Sequence, residues 1–336
     1  MRQPANFANT VFIMSRLLAL LLSSALVVSC SSNDDTTRTT EAPARDTSVT
    51  VADTSLPSDT VVETAPDTVP VTTVDPTIAR PFDVFAPASY SPDTPMPLVV
   101  LLHGFGATGE IQEAYFQLQP LAEERGFLYA HPDGTVNTIG RQFWNATDAC
   151  CGFGAPVDDS AYLLALIDKV EAEFNVDPKR IYLVGHSNGG FMSYRMACDH
   201  ADRIAAIASL AGATFADVED CDPSEPVSVL QIHGTDDETI LYEGGTILGN
   251  DHPSAPVTAA TWAAYDGCQT TTVEAASSLD LDDFIEGDET STSVYEGCPS
   301  GIDVELWTIA GGAHLPVRTA DVSTGIVDFL FAHPKP

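Results

Sequence analysis

Short apolar segments alternate with helix-like segments along most of the chain after residue 80. Unbroken apolar runs predict buried strands, and shorter apolar stretches predict outer strands. The predicted strands cover residues 81–85, 97–102, 127–130, 181–184, 204–210, 227–232 and 304–309. Helices are predicted over residues 110–124, 159–174, 191–197, 256–265 and 320–331. Because strands buried on both faces read as continuous apolar runs, this alternation indicates an α/β fold with a mostly parallel sheet and helices on both faces.

The first 80 residues depart from this pattern in two ways. Residues 17–28 form an apolar run after Arg16 that has the length of a signal-peptide core. Small residues precede Cys30 as in a lipobox, so residues 1–30 are predicted to be a signal peptide with Cys30 as the lipidation site. A secretory signal without lipidation is the alternative. Residues 31–80 are rich in Thr, Asp, Pro, Val and Ser and contain no aromatic residue, which predicts a disordered linker.

Residues 81–336 then form one domain, whose charge limits its partners. The whole chain has a formal net charge of −34, and residues 81–336 hold 39 of the 48 acidic residues but nine of the 14 basic ones. Such an excess of negative charge argues against nucleic acid or an anionic lipid surface as a partner. It favours neutral substrates, and it leaves the predicted lipid anchor as the sole route to a membrane.

Seven cysteines fit an exported protein, because disulfides persist in oxidising compartments. Beside Cys30 there are six, at positions 150, 151, 198, 221, 268 and 298. Six cysteines permit 15 pairings, so the sequence leaves their connectivity open. Cys268 and Cys298 bracket the longest predicted irregular stretch, residues 267–301, and a bridge that closes this stretch is the pairing we favour. No C-x-x-C pair or suitably spaced histidines accompany them, so no metal site is predicted.

The segment Gly185-His186-Ser187-Asn188-Gly189 fits the pattern G-x-S-x-G between a predicted strand and a predicted helix. A serine on such a sharp turn projects its hydroxyl above the sheet, at the N-terminus of the helix. Ser187 is therefore the predicted nucleophile. The alternative is an ordinary Gly-Ser turn that caps a helix.

A serine hydroxyl needs a neighbouring base to accept its proton and a third group to hold that base. Asp237 follows the strand at 227–232, and His314 follows the strand at 304–309, so both lie just past strand ends as Ser187 does. We predict Ser187, Asp237 and His314 as a catalytic triad. Asp236 and Glu238 compete for the acid position. His103 and His233, each before a glycine at a strand end, are expected to hold loops by hydrogen bonding.

Attack on a carbonyl would also require backbone donors for the oxyanion. The amide of Asn188, directly after the nucleophile, is one predicted donor. The amide of Phe105, in the loop after the strand at 97–102, is the other. An ordinary strand-ending turn is the alternative interpretation of that loop.

Six segments in this order resemble one family. They are Leu101-Leu102-His103-Gly104, Trp144-Asn145-Ala146 with Cys150-Cys151-Gly152, Val157-Asp158-Asp159, Gly185 to Gly190, His233-Gly234-Thr235-x-Asp237 and Gly311-Gly312-x-His314. The chain from about residue 81 onward resembles secreted esterases of the α/β-hydrolase fold known as polyhydroxybutyrate depolymerases and feruloyl esterases. The resemblance implies a Ser-Asp-His triad without metal or organic cofactor, and it supports Phe105, Asn188 and the Cys268–Cys298 bridge.

One departure from the family concerns the acyl pocket. Members usually carry Trp-Pro shortly after the histidine, whereas Leu315-Pro316 follows His314 here. Phe105 and Trp144 remain candidate apolar contacts for substrate, although either could be plain packing. We expect an extracytoplasmic serine esterase that acts on a hydroxyalkanoate polyester or oligomer. The alternatives are a feruloyl or acetyl-xylan-type esterase on polysaccharide, an acyltransferase, and a non-catalytic surface binding module.

Overall fold

The computed structural model describes residues 76–276 and 278–336. The predicted signal peptide, Cys30 and all but the last five residues of the predicted linker lie outside the described residues. Among the described residues, no helix is both long and apolar enough to cross a membrane.

One large mixed sheet forms the centre of the described part of the chain. Its nine strands lie in the order β1-β3-β2-β6-β7-β8-β13-β12-β11. They are β1 (Val84–Phe85), β2 (Met96–Leu102), β3 (Leu128–Ala130), β6 (Val176–His186), β7 (Ala206–Leu210), β8 (Ser228–Gly234), β11 (Thr272–Glu274), β12 (Thr290–Tyr295) and β13 (Val304–Ile309). Neighbours from β3 to β13 pair in parallel, whereas β1, β12 and β11 add antiparallel edges. The predicted mostly parallel sheet is confirmed.

Two small hairpins stand outside this sheet. The first joins β4 (Thr135–Val136) to β5 (Gln142–Phe143), and the second joins β9 (Gly245–Ile247) to β10 (Asn250–His252). Both are antiparallel, and both lie in connections that follow parallel strands.

Helices cover both faces of the sheet, because the side chains of a buried strand alternate between two cores. In β2, Leu98 and Val100 join one core, while Val99 and Leu101 join the other. The first core packs against α3 (Asp159–Glu173), α4 (Asn188–Asp199) and α5 (Ala255–Tyr265). The second packs against α1 (Gly109–Phe116), α2 (Leu118–Arg125) and α6 (Ala320–Ala332). Short 3₁₀ helices cover Pro76–Ile78 and Val218–Asp220.

Two predictions of secondary structure were wrong. The predicted helix at 110–124 is two helices, broken at Gln117, whose φ is 55°. Pro120 explains the break, because a proline in the middle of a continuous helix lacks an N–H donor and clashes with the preceding turn. The stretch 267–301, predicted to be irregular, contains β11 and β12. The Thr-Ser-Thr-Ser start of β12 has no alternation of apolar and polar residues, so no strand is predicted there from sequence.

The structure contains three disulfides among the described residues: Cys150–Cys151, Cys198–Cys221 and Cys268–Cys298. The third is the bridge favoured from the sequence, and it encloses the antiparallel strands β11 and β12. The second joins the last turn of α4 to the segment before β8.

Candidate active site

The residues singled out from the sequence lie in loops at one edge of the sheet. Ser187 follows β6, His103 follows β2, Asp237 lies three residues after β8, and His314 lies five residues after β13. Parallel strands place their carboxyl ends at a common edge, where loops can converge on one site. This edge therefore holds the proposed nucleophile, acid and base. It also holds the loop after β2 with Gly104, Phe105 and Gly106, which we call the oxyanion loop.

Ser187 sits on a sharp turn between β6 and α4. Its backbone has φ 53° and ψ −122°, a conformation that side-chain-bearing residues rarely adopt. The Ser187 amide donates to the Leu210 carbonyl across 2.8 Å, which fixes the turn against β7. The flanking glycines are required because a Cβ on Gly189 would collide with the Leu102 carbonyl, and a Cβ on Gly185 would collide with the Gly189 backbone. The turn thus has the strained strand-to-helix geometry of a nucleophile elbow.

The structure brings Asp237 and His314 together. His314 donates from Nδ1 to Asp237 Oδ2 across 2.8 Å. Asp237 is almost fully buried, whereas its neighbours Asp236 and Glu238 are exposed. Of the three adjacent acids, the one chosen from the sequence is the one that meets the imidazole. This bond leaves Nε2 of His314 available for proton transfer.

Three further donors hold the Asp237 carboxylate. The amides of Thr239 and Ile240 donate to Oδ1 across 2.8 and 2.9 Å, and His233 Nε2 lies 3.2 Å from Oδ2. Burial alone would raise the pKa of Asp237, but the hydrogen bonds from His233 and His314 hold it well below its usual value. Asp237 is therefore ionised and fixed in orientation.

The tautomer of His233 is set by a buried polar chain behind it. Gln231 Nε2 donates to His233 Nδ1 across 3.1 Å, so the ring proton resides on Nε2, which faces both Asp237 and the Ile240 carbonyl. Tyr194 in turn donates to Gln231 Oε1 across 2.7 Å. The sequence predicted a loop-holding role for His233, and its contact with the acid is an addition that residue order alone did not signal.

His186, inside the elbow, contacts the loop that carries His314, the predicted base. Its Nε2 lies 3.0 Å from the His314 carbonyl oxygen, which can only accept, so His186 is the donor. Burial, followed by the nearby His314, lowers the pKa of His186 to about 3, which keeps the ring neutral. From α1, the Tyr115 hydroxyl donates to the Pro316 carbonyl across 2.8 Å, and Arg318 donates to the Tyr115 carbonyl. The loop that carries His314 is therefore held by His186 and by Tyr115.

The predicted oxyanion donors have free amides. Among the described residues, no acceptor engages the amide of Phe105 or that of Asn188. The amide of Gly106, the residue after Phe105, is not available for this role, because it donates to the Gln142 carbonyl across 2.7 Å. A free amide at the N-terminus of α4 and another in the loop after β2 are suited to receive negative charge.

His103 ties this loop down. Its Nδ1 donates to the Gly104 carbonyl across 2.8 Å, and its Nε2 accepts from the Gly134 amide across 2.8 Å. Burial lowers the pKa of His103, so the ring is neutral and can act as donor and acceptor at once.

The expectation that Trp144 contacts substrate is corrected. Trp144 is fully buried, with its ring between those of His103 and Tyr162. The Asn188 side chain exchanges two hydrogen bonds with the Trp144 main chain, at 2.7 and 2.9 Å. Trp144 therefore holds the side chain of Asn188, whose amide is one of the predicted oxyanion donors. Phe105 is half-buried and stays available as an apolar contact. In the described part of the chain, no group of His, Cys, Asp or Glu side chains could hold a metal ion.

Comparison with known proteins agrees with this architecture. A family model for the alpha/beta hydrolase fold matches residues 97–232. The solved acetyl xylan esterase from Aspergillus awamori superposes with a TM-score of 0.52 at 14% identity, over 74% of this chain and 93% of that one. The chain has the α/β-hydrolase fold. A thermostable esterase also superposes, with a TM-score of 0.50 at 16% identity, over 76% of this chain and 59% of the other. At such identities these two similarities concern the fold alone.

Sequence relatives of this α/β-hydrolase carry esterase names. Feruloyl esterase B of Piromyces equi is 30% identical over 238 residues, which are 68% of this chain and 41% of that protein. A bifunctional acetylxylan esterase/xylanase of Neocallimastix patriciarum is 29% identical over 49% of this chain and 22% of its own length. A probable feruloyl esterase C of Aspergillus oryzae is 28% identical over 58% of this chain and 64% of its own. The chain spans less than half the length of the first two. The resemblance to feruloyl esterases is confirmed.

Proposed function

We propose that this protein is a serine esterase that hydrolyses carboxylic esters through an acyl-enzyme. The observation that carries the proposal is the Asp237–His314 hydrogen bond of 2.8 Å, formed at the sheet edge where Ser187 occupies a strained elbow. A paired acid and imidazole at the same sheet edge as a serine on an elbow are the parts that acyl transfer needs.

In the proposed mechanism, Ser187 Oγ attacks the ester carbonyl while His314 Nε2 accepts its proton. Asp237 keeps the His314 proton on Nδ1 and stabilises the imidazolium that forms. The amides of Phe105 and Asn188 stabilise the tetrahedral oxyanion, and each such donor typically contributes about 3–4 kcal/mol of transition-state stabilisation. His314 then protonates the departing alkoxide. Water, activated by the same imidazole, attacks the acyl-enzyme and releases the acid and free Ser187.

For the substrate, we propose an acyl ester on plant polysaccharide, of the feruloyl or acetyl-xylan type. The names of the relatives support this choice, since feruloyl and acetylxylan esterases both occur among them. They lend no support to the hydroxyalkanoate polyester expected from the sequence, so that substrate is now the less favoured of the two.

An ester panel tests the proposal. Methyl ferulate, acetylated xylo-oligosaccharides, hydroxybutyrate oligomers and 4-nitrophenyl esters should be compared with wild type and Ser187→Ala. We expect wild-type turnover of at least the polysaccharide-type esters, with kcat reduced by roughly 10⁵-fold or more in the variant. A fluorophosphonate probe should label wild type alone. No labelling and no turnover would indicate the binding module, whereas acyl transfer to added sugar faster than to water would indicate the acyltransferase.

We also propose that the domain works outside the cytoplasm. Its three disulfides fit an oxidising compartment. Export by residues 1–30 and acylation of Cys30 remain predictions. Mass spectrometry of the mature N-terminus, from cells that process lipoproteins, would distinguish a diacylated Cys30 from simple cleavage.

A further inference from the structure

The basic side chains of this domain are few, and all but one are engaged. The described residues hold ten lysine and arginine side chains. Nine of them contact a carboxylate, a main-chain carbonyl or an aromatic ring: Arg80, Arg125, Lys169, Lys179, Arg180, Arg195, Arg203, Arg318 and Lys335. Within the described ranges, the guanidinium of Arg141 alone has no protein partner.

Arg141 lies against the oxyanion loop. The position that a Cβ would occupy on Gly106 is 3.1 Å from Arg141 Nη1 and 3.4 Å from its Cδ. The corresponding position on Gly104, two residues earlier, is 3.4 Å from Ser187 Cβ. The loop 104–106 therefore lies next to both the exposed guanidinium of Arg141 and Ser187.

The backbone that carries Arg141 is fixed. Its amide donates to Asn137 Oδ1 and its carbonyl accepts from the Asn137 amide, both across 2.9 Å, within the β4–β5 hairpin. The neighbouring Gln142 carbonyl accepts the Gly106 amide, which joins the hairpin to the oxyanion loop. A side chain on so firmly attached a hairpin is presented to the site with little loss of backbone freedom.

We propose that Arg141 binds a carboxylate of the substrate and so selects esters that carry one near the scissile bond. This inference rests on the proposed esterase function and narrows its substrate class. Two sources supply the same chemistry: a uronate in the polysaccharide that bears the ester, and the free carboxyl terminus of a hydroxyacid oligomer.

The charge of the domain favours this assignment. Residues 81–336 contain 39 acidic residues, yet the Arg141 guanidinium forms no ion pair with any of those that the structure describes. It is therefore free to bind a carboxylate from outside the protein. A planar guanidinium binds a carboxylate through two parallel hydrogen bonds, which gives orientation as well as attraction. The negative charge of the domain repels an anionic substrate at long range, but salt screens this repulsion. A direct contact between a guanidinium and a carboxylate in the site is screened much less. The neutral-substrate expectation from net charge therefore applies to the domain surface rather than to this position.

The test uses pairs of esters that differ in one carboxylate. The first pair is an acetylated xylo-oligosaccharide with and without a uronate substituent. The second is a hydroxybutyrate trimer with a free carboxyl terminus and its methyl ester. Wild type is compared with Arg141→Gln, with Arg141→Lys and with the control Arg125→Gln, which removes an exposed ion pair to Asp328 on α6. Melting temperatures verify that every variant is folded.

We expect Arg141→Gln to lower kcat/KM for the charged member of one pair by roughly ten- to a hundredfold, while the neutral member changes by less than about twofold. Arg141→Lys should recover part of the loss, and Arg125→Gln should change neither member. The pair that responds identifies the source of the carboxylate.

Equal effects of Arg141→Gln on charged and neutral members, or a loss confined to neutral aromatic esters such as methyl ferulate, would overturn the inference. Either result would leave the esterase function intact, because wild type would still turn over esters. Wild-type inactivity on every ester would instead refute the proposed function, and this inference with it.

Discussion

His186 donates from Nε2 to the main-chain carbonyl of His314 across 3.0 Å, so the residue before the proposed nucleophile holds the loop that carries the proposed base. This bond ties the elbow to the loop whose imidazole would accept the Ser187 proton in the proposed mechanism. Replacing His186 by Leu removes this donor and leaves a half-buried carbonyl unpaired. We expect kcat to fall about three- to tenfold, in line with the usual net value of one hydrogen bond, with KM nearly unchanged. Steady-state kinetics on a 4-nitrophenyl ester measure both.

The same residue predicts a pH dependence of stability. The pKa of His186 is lowered to about 3 in the folded protein, against about 6.5 when unfolded. Below pH 6.5 the unfolded chain therefore binds a proton that the folded protein does not, and folding is progressively disfavoured as the pH falls towards 3. This residue contributes at most about 1.4 kcal/mol per pH unit in that window.

Urea unfolding from pH 7 to pH 4 should accordingly show a shallower loss of stability in His186→Leu than in wild type. Tyr115→Phe is the matched control, since it releases the same loop at Pro316 without removing an imidazole. It should lower kcat while it keeps the wild-type slope. Parallel slopes for wild type and His186→Leu would contradict the assignment.

The buried contact between His233 and Asp237 predicts non-additive kinetics. His233→Leu removes one of the donors to Asp237 Oδ2 and leaves Gln231 Nε2 with one acceptor fewer. We expect kcat to fall roughly tenfold with little change in KM, because the carboxylate loses its orientation. Asp237→Asn alone should cost about 10⁴-fold. If His233 acts through Asp237, the double variant resembles Asp237→Asn; a further tenfold loss would show an independent role.

Asp266, at the end of α5, is expected to lower the stability of the wild-type protein as the pH rises. It is almost fully buried, and its Oδ2 has no partner among the described residues. Burial raises the pKa of Asp266 to about 7. Since this exceeds the unfolded value of about 3.9, the folded protein binds the extra proton, and stability is lost as the pH rises from about 4 to 7.

Asp266→Asn keeps an acceptor for the Val227 amide and removes the titration. Relative to wild type, the variant should gain on the order of 2–4 kcal/mol between pH 4 and pH 8. Guanidinium unfolding at both pH values measures the difference. An unchanged difference between the two pH values would mean that the carboxyl is ionised throughout.

Removal of the Cys268–Cys298 bridge is expected to lower the free energy of unfolding and to leave kcat nearly unchanged. Its two cysteines are separated by 30 positions. Closing a loop of that size stabilises a fold by about 3–4 kcal/mol in the chain-entropy account. The double variant Cys268→Ser, Cys298→Ser should lose about that much in chemical unfolding. Its kcat at 25 °C should stay within about twofold of wild type, because the bridge closes the β11–β12 edge rather than the site.

Much of the fold could be predicted because its central strands are buried on both faces. The apolar run at 97–102 carries that signal directly, and the structure forms β2 there, at Met96–Leu102. Ser187 and His314 could be singled out because each lies just after such a strand, where parallel sheets collect their loops. The polar hairpins and β11–β12 give no periodic signal, since tertiary pairing rather than local pattern makes them strands.

The rest of the site depends on distances that residue order does not encode. The contact of His186 with His314 joins residues 128 positions apart, and that of Tyr115 with Pro316 joins residues 201 apart. By residue type Trp144 is a candidate for the substrate pocket, yet packing between His103 and Tyr162 removes it from solvent. Tertiary packing decides whether an aromatic side chain is buried or lines a pocket, and a sequence pattern alone does not distinguish the two.

The left-handed backbone of Ser187 sets activity and thermostability against each other. A residue with φ 53° and ψ −122° holds a conformation that glycine tolerates far better than serine, typically by about 1–2 kcal/mol. Engineering for heat resistance alone would thus favour Ser187→Gly, an inert protein that outlasts its parent. Any screen for more robust forms of the proposed esterase must therefore select on turnover as well as on survival.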